Sequence, residues 1–369
     1  MLTKIKTFVK KEVVLCISAL CAVITMFFVP PDMQYIEYID FRVLCLLLCL
    51  MAVVAGFKSV GVFETLTYQL LCRIRSGRTL SVTLVMLPFF SSMFVTNDVA
   101  LIVFIPFTIA LLLQLGLNKS VVPVIVLQTV AANLGSMATP VGNPQNLYLY
   151  STYNLTVGEF FFVTLPLTAV SFAMLIVACL PVLKKKFSAE APKKETISNK
   201  IKLIIYALLF ILCLFTVFKV VPYQVTTVII IAVFLVTDIK QLKEIDFMLL
   251  ATFVCFFIIS ENLGRIDGVR AFLQTLLSAD TLITSVGTSQ VISNVPAAVL
   301  LSGFTDDWKE LLAGVNIGGL GTPVASLASL ITLKLYLKSD GAKIFKFLAV
   351  FTVANVVGLA ILLTFVELV

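Results

Sequence analysis

The sequence predicts an all-α polytopic membrane protein built from two inverted-topology repeats, each carrying a re-entrant helical hairpin and a discontinuous transmembrane helix. Three observations predict it. Sixty per cent of the 369 residues are hydrophobic and only 13% are charged, against about a quarter charged in a soluble domain; the mean hydropathy is +1.09. Apolar runs long enough to cross a bilayer recur along the whole chain. One motif pair also occurs twice. Ser92-x-x-x-Thr96-Asn97-Asp98 leads to Asn133-x-Gly135-x-x-x-Thr139-Pro140-Val141, and Ser289-x-x-Ile292-Ser293-Asn294-Val295-Pro296 leads to Asn316-x-Gly318-x-x-x-Thr322-Pro323-Val324.

Nine apolar runs read as single crossings, at about 13–29, 41–57, 119–152, 160–183, 202–218, 222–238, 247–263, 308–338 and 344–366. A run of about 17 to 25 residues crosses once. The first has no small-residue cleavage site and leads into Pro30-Pro31, so it reads as a span rather than a cleavable signal peptide. Two further blocks, 79–114 and 280–302, carry a polar break near the middle. Each predicts two half-length arms that enter the membrane and turn back, tolerated only where the broken backbone is buried in protein or lines a cavity. The amphipathic stretches Val62–Arg75 and Val269–Ala279 precede the hairpins and are expected to lie along the interface.

Orientation follows from the basic residues. With the N-terminus in the cytoplasm, the 27 Lys and Arg divide 22 inside to 5 outside, the outer five being Arg42, Lys219, Arg265, Arg270 and Lys309. The C-terminus then lies outside. The expected organisation is a first inverted repeat at 1–183 (hairpin 79–114, broken helix 119–152) and a Lys-rich cytoplasmic linker at 184–201. A linking transmembrane helix at 202–221 and a second repeat at 222–369 (hairpin 280–302, broken helix 308–338) follow, with no appended soluble domain. The linking helix is the odd crossing that inverts the second repeat. The hairpin tipped near Asn97 therefore enters from the cytoplasm and the one tipped near Asn294 from outside.

Composition also excludes functions. The net charge of +7 is carried by residues flanking apolar spans, an orientation signal that implies no nucleic acid. There is no histidine, and the eight cysteines form no CxxC pair, so no transition-metal site is expected. No GxSxG, Walker loop or HExxH motif is present, so neither an enzyme nor a cofactor is expected. Proton-linked chemistry falls to carboxylates.

Broken helices at matching places in two halves point to the binding site of a transporter. At a hairpin tip, backbone groups lose their helical partners. Freed carbonyls and side-chain oxygens suit a dehydrated Na⁺, while free amides at half-helix N-termini suit an anion. The expected cation ligands are Ser92, Thr96, Asn97, Asp98 and Gly135 in the first half, with Ser289, Ile292, Asn294 and Gly318 in the second. The expected substrate-binding residues are Asn97, Asp98, Thr139, Pro140 and Asn143, with Asn294, Val295, Thr322 and Pro323. Asp98 breaks the symmetry, since Val295 stands in the matching place. An ionisable residue at membrane depth reads as a cation ligand or a proton carrier; the alternative is a carboxyl that only fixes the tip.

At these residues the chain resembles the ion transporter superfamily, which includes divalent anion/sodium symporters, citrate transporters, arsenite-efflux permeases and certain sodium/proton antiporters. Within it the chain is most similar to YbiR-type inner-membrane permeases with a citrate-transporter-like domain. The resemblance rests on Phe89-Phe90-Ser91-Ser92-Met93, Thr96-Asn97-Asp98-Val99-Ala100-Leu101 and Gly142-Asn143-Pro144-Gln145-Asn146-Leu147-Tyr148. In the second half it rests on Ser293-Asn294-Val295-Pro296-Ala297 and Gly314-Val315-Asn316-Ile317-Gly318-Gly319-Leu320-Gly321. It implies a homodimer with elevator-type movement in a bacterial cytoplasmic (inner) membrane. It also implies that Asn97 and Asn294 contact substrate while Ser92 and Ser289 hold Na⁺. Asp98 and Val295 replace the threonine found at both tips of the symporters. That shifts the expectation from a dicarboxylate toward the arsenite and antiporter branches. The expected function is a secondary active transporter of a small inorganic or carboxylate anion coupled to Na⁺ or H⁺. The alternative is a sodium/proton antiporter that uses Asp98.

Overall fold

The structure is a computed structural model that describes residues 12–71, 76–182, 196–339 and 341–368. Among them the secondary structure is helical, with no strand. Helices α1 (Val13–Phe28) and α2 (Phe41–Ser59) precede the amphipathic α3 (Val62–Leu71). Helices α4 (Gly77–Ser91) and α5 (Asn97–Gln114) make the first hairpin. The first broken helix is α6 (Val121–Ser136) followed by α7 (Pro144–Thr152), and α8 (Val157–Cys179) ends this half. Then come α9 (Lys200–Val217), α10 (Tyr223–Thr237), α11 (Phe247–Gly264) and the amphipathic α12 (Asp267–Ala279). The second hairpin is α13 (Thr281–Ile292) with α14 (Asn294–Ser302). The second broken helix is α15 (Trp308–Ile317) with α16 (Leu327–Leu337), and α17 (Ile344–Leu368) completes the set. The N-terminal lysines Lys4 to Lys11, Arg73 and Arg75, and the linker lysines Lys184 to Lys194 lie outside the described residues.

Local chemistry sets the helix ends. Asp40, Asp246, Asp280 and Asp307 each accept a hydrogen bond from a first-turn amide, at 2.9, 2.9, 2.7 and 3.2 Å, and start α2, α11, α13 and α15. A reciprocal Thr156–Glu159 capping box starts α8. Of the described helices, α2, α5, α8, α9, α11 and α17 are long and apolar enough to cross a membrane, as stretches of 18 residues or more. The presence of α5 in that set differs from the sequence expectation of half-length arms. Between Val99 and Leu113 only Thr108 is polar, so nothing stops this helix until Gly116. That residue takes φ +67° in a C-terminal closure with Leu117 N–H on Leu112 O at 2.8 Å. The arms of the second hairpin are shorter, at 12 and 9 residues.

Two apolar cores form. One gathers α4, α5, α6, α8, α16 and α17 around Phe89, Leu134, Phe347 and Phe351. The other gathers α2, α7, α9, α10, α11, α14 and α15 around Tyr206, Phe234, Phe253 and Leu312. In the second core α9 lies close against α2. A Cβ on Gly56 would fall 2.9 Å from the Tyr206 ring, which stacks on Phe234 at 5.3 Å. The first break runs from Met137 in one core to Val141 in the other, so the broken segments sit where the two cores meet.

Candidate functional site

Both hairpins and both broken helices are joined in the interior by short polar side chains. Asn97 Nδ2 donates to Asn133 Oδ1 at 3.0 Å, and Asn133 Nδ2 donates to Gly319 O at 3.3 Å. Ser326 Oγ donates to the same Asn133 oxygen at 3.0 Å. Asn143 Nδ2 donates to Asn316 Oδ1 at 3.1 Å, and Asn316 Nδ2 to Asn146 Oδ1 at 2.7 Å. At the second tip Asn294 N–H donates to Ala325 O at 2.9 Å, and Ser293 Oγ reaches the same carbonyl at 3.3 Å. The two tips are thereby linked from Asn97 through Asn133 to Ser326, the neighbour of Ala325. Every side chain in this network is uncharged and buried. Buried amides are costly unless paired, so the network fixes how the two halves meet.

The halves use matching contacts. The Thr139 hydroxyl donates to Met93 O, and the Thr322 hydroxyl to Gln290 O. Asn143 reaches across to Asn316 as Ser326 reaches across to Asn133. Ser92 and Ser289 each lie over a glycine: a Cβ on Gly135 or on Gly318 would stand 2.8 Å from the respective serine Oγ. These hydroxyls donate to Phe89 O at 3.0 Å and Ser285 O at 2.7 Å.

Four helices, α5, α7, α14 and α16, begin at this junction. Thr96, Ser293 and Ser326 precede three of them without a side-chain cap on the first-turn amides; Asn143 caps the fourth through Asn146 N–H at 2.9 Å. Four helix N-termini therefore turn their partial positive charge toward one buried amide network. Ser293, between the second hairpin's arms, has φ +76° and ψ 154°, a conformation that strains any residue with a Cβ.

Asp98 stands at the edge of the network. Its N–H donates to Asn97 Oδ1 at 2.9 Å, while its buried Oδ1 has no hydrogen-bond partner. A cavity of about 250 Å³ brings Asp98 together with Thr96, Asn143, Lys58, Glu244 and Asp246. A second, of about 670 Å³, is lined by Asp98 and Asp246 and runs to Lys334.

The sequence-predicted residues separate into four groups, with Val295 and Ile292 outside them. Thr96, Asp98 and Asn143 share the smaller cavity. Asn97 and Asn294 belong to the amide network, the first by its side chain and the second by its main chain. Thr139 and Thr322 instead fasten each break to its own hairpin, with Pro140 and Pro323 beside them. Ser92, Gly135, Ser289 and Gly318 form the two close hairpin-to-break contacts. The Gly135 carbonyl accepts Ala138 N–H at 3.1 Å. Val295 is buried, whereas the Ile292 side chain is 38% exposed and faces away from the network. Sequence reasoning did not single out Asn133, Asn316, Asn146, Ser326, Gln290 or Asp246 as site residues. Asn133 and Asn316 open the repeated motif, so their signal was present; the others carry none that is local.

Comparison with known proteins gives the chain a family. The citrate transporter family matches residues 1–305. An uncharacterized transporter of Methanocaldococcus jannaschii is 31% identical over 338 residues, covering 91% of this chain and 92% of its own. The inner membrane protein YbiR of Escherichia coli is 30% identical over 315 residues, covering 84% of each chain. A silicon efflux transporter of Oryza sativa is 31% identical over 144 residues, 38% of this chain and 29% of its own. With the family match over most of its length, and two relatives aligned along nearly all of it, the chain belongs to the citrate transporter family and is a membrane transporter.

Proposed function

We propose that this transporter is secondary active and moves a small inorganic or carboxylate anion in a step coupled to Na⁺ or H⁺. The observation that carries the proposal is the convergence of four helix N-termini on a buried, uncharged amide network that has one carboxylate, Asp98, at its rim. Helix N-termini favour an anion, and neutral amides can solvate one without a competing charge. An ionised Asp98 opposes the same anion until Na⁺ or H⁺ neutralises it, which makes coupling a condition of binding.

The matching bonds of the two halves support inverted repeats at 1–183 and 222–369, separated by the linker 184–201 and the linking helix 202–221. The proposed setting is a homodimer in a bacterial inner membrane, N-terminus cytoplasmic and C-terminus external. The hairpins and breaks move together past the remaining helices as an elevator. The coupling ion is the only accessory group required.

One observation favours a second reading. Asp98, whose buried Oδ1 has no partner, lines a cavity with Asp246 and Glu244, surroundings that draw a cation. In that reading the protein is a sodium/proton antiporter and Asp98 exchanges the two ions. A thermal-shift panel on purified protein separates the two, titrating Na⁺ against K⁺ at several pH values with citrate, silicate and other small anions. Ligands of the folded state raise its apparent stability. Stabilisation by an anion that grows with Na⁺ or acid supports coupled anion transport. Competition between Na⁺ and H⁺ without an anion effect supports the antiporter.

A further inference from the structure

The two breaks differ in who satisfies their carbonyls. In the second half, Gln290 Nε2 donates to Gly318 O and Leu320 O, both at 2.9 Å. Its Oε1 accepts Thr322 N–H at 2.8 Å. One carboxamide, reaching in from the hairpin, therefore closes the carbonyl cluster of the break on both sides. Its entry needs room that a glycine provides. Gly321 has φ +110°, and a Cβ there would fall 2.2 Å from Gln290 Oε1. In the first half the register of the repeated motif places Met93 opposite Gln290 and Ala138 opposite Gly321. A thioether cannot donate to a carbonyl, and an alanine Cβ would block the approach. There Met137 O and Thr139 O are satisfied instead from inside the break, by Asn146 Nδ2 at 3.2 Å each. The hairpin side chain is left out of that arrangement, and the same hairpin carries Asp98 with its unpartnered Oδ1.

A neutral carboxamide N–H₂ that donates to two converging carbonyls occupies the place a small monovalent cation would take between them, without its charge. We infer that Gln290 is an internal substitute for a cation at the second tip, so that the chain retains a single ion site, at the first tip beside Asp98, and couples one ion per cycle. This rests on the coupled-transport reading above. It makes Gln290, with Gly321 as its clearance, the residue that sets ion stoichiometry.

The test uses full-length protein in detergent and in proteoliposomes, with Na⁺, Li⁺ and K⁺ as probes against N-methylglucamine. In wild type, cation titration of thermal stability should fit one site, a Hill coefficient near one, and Asp98→Asn should remove it. In Gln290→Glu the carboxylate keeps Thr322 N–H with one oxygen and turns the other on two carbonyl oxygens. A second cation-dependent rise in melting temperature should appear, and it should survive in the Gln290→Glu, Asp98→Asn double variant. Gln290→Ala should lower the melting temperature and regain part of it at high Na⁺ or Li⁺. The inference is overturned if wild type titrates with two cooperative sites. It is equally overturned if the Gln290→Glu double variant responds to no cation. A wild type that ignores every cation, alongside a Gln290→Glu variant that responds, would sink sodium coupling and leave the role of Gln290 standing.

Discussion

The two hairpin tips share a Ser, then a Thr or Ser and an Asn, at the same spacing, in Ser-Met-Phe-Val-Thr-Asn-Asp at 92–98 and Ser-Gln-Val-Ile-Ser-Asn-Val at 289–295, yet the fold gives them different work. The first tip is a non-helical stretch from Ser92 to Thr96 between arms of 15 and 18 residues. It opens Thr96 and Asp98 onto cavities. The second tip is Ser293 alone between arms of 12 and 9 residues, held by two bonds to Ala325 and braced by Gln290. Symmetry in the motif thus supplies a frame, while charge and access are confined to one side of it. A single carboxylate decides which tip is chemically active.

Six substitutions test that contrast. Asp98→Asn removes the only charge at either tip, and cation-driven uptake in proteoliposomes should fall by about 100-fold or more with the protein still folded; retained coupling would make the two tips equivalent. Next in size is Gly135→Ala. Its new methyl would stand 2.1 Å from the Phe89 carbonyl oxygen, whereas in Gly318→Ala the closest atoms, the Gly314 carbonyl oxygen and the Ser289 side chain, are at 2.8 Å. Thermal denaturation should show Gly135→Ala destabilised by about 1–3 kcal/mol and Gly318→Ala by less. Equal losses would mean both hairpins yield alike.

Asn133→Ala strips partners from Asn97, Ser326 and Gly319 at once. A cost of about 1–3 kcal/mol is expected for the buried groups left unpaired. Asn294→Ala keeps its main-chain bond to Ala325, so a smaller loss of stability should accompany its loss of transport. Finally, Ser293→Gly relieves the φ +76° conformation. Glycine gives back part of that gain through the unfolded chain and loses the Ser293 Oγ bond to Ala325 O, so the net stabilisation should be at most about 1 kcal/mol. A melting temperature lowered by more than the loss of that one bond would show that the second tip is unstrained.

Much of the frame was legible from local signals. Apolar length gave the spans, and Pro144 after Asn143 and the Gly318–Pro323 run marked where helices restart. Aspartates 40, 246, 280 and 307 sit where caps were needed. The misjudged element was α5, where the same polar break that starts the helix gives no indication of where it stops. Gly116 decides that, and its φ +67° is a backbone property.

By itself, then, the sequence determined the membrane class, the order of elements, the paired motifs and Asp98 as the odd carboxylate. Each of these depends on hydropathy or on residues within a few positions of one another. Only the tertiary structure decided that Asn133 and Asn316 bind the breaks of the opposite half, across separations of 186 and 173 residues. It also decided that Gln290 fills the carbonyls of the second break and that Asp246 shares a cavity with Asp98. A buried amide takes whichever donor or acceptor the packed helices bring within about 3 Å, and a partner that far along the chain leaves no trace in local pattern.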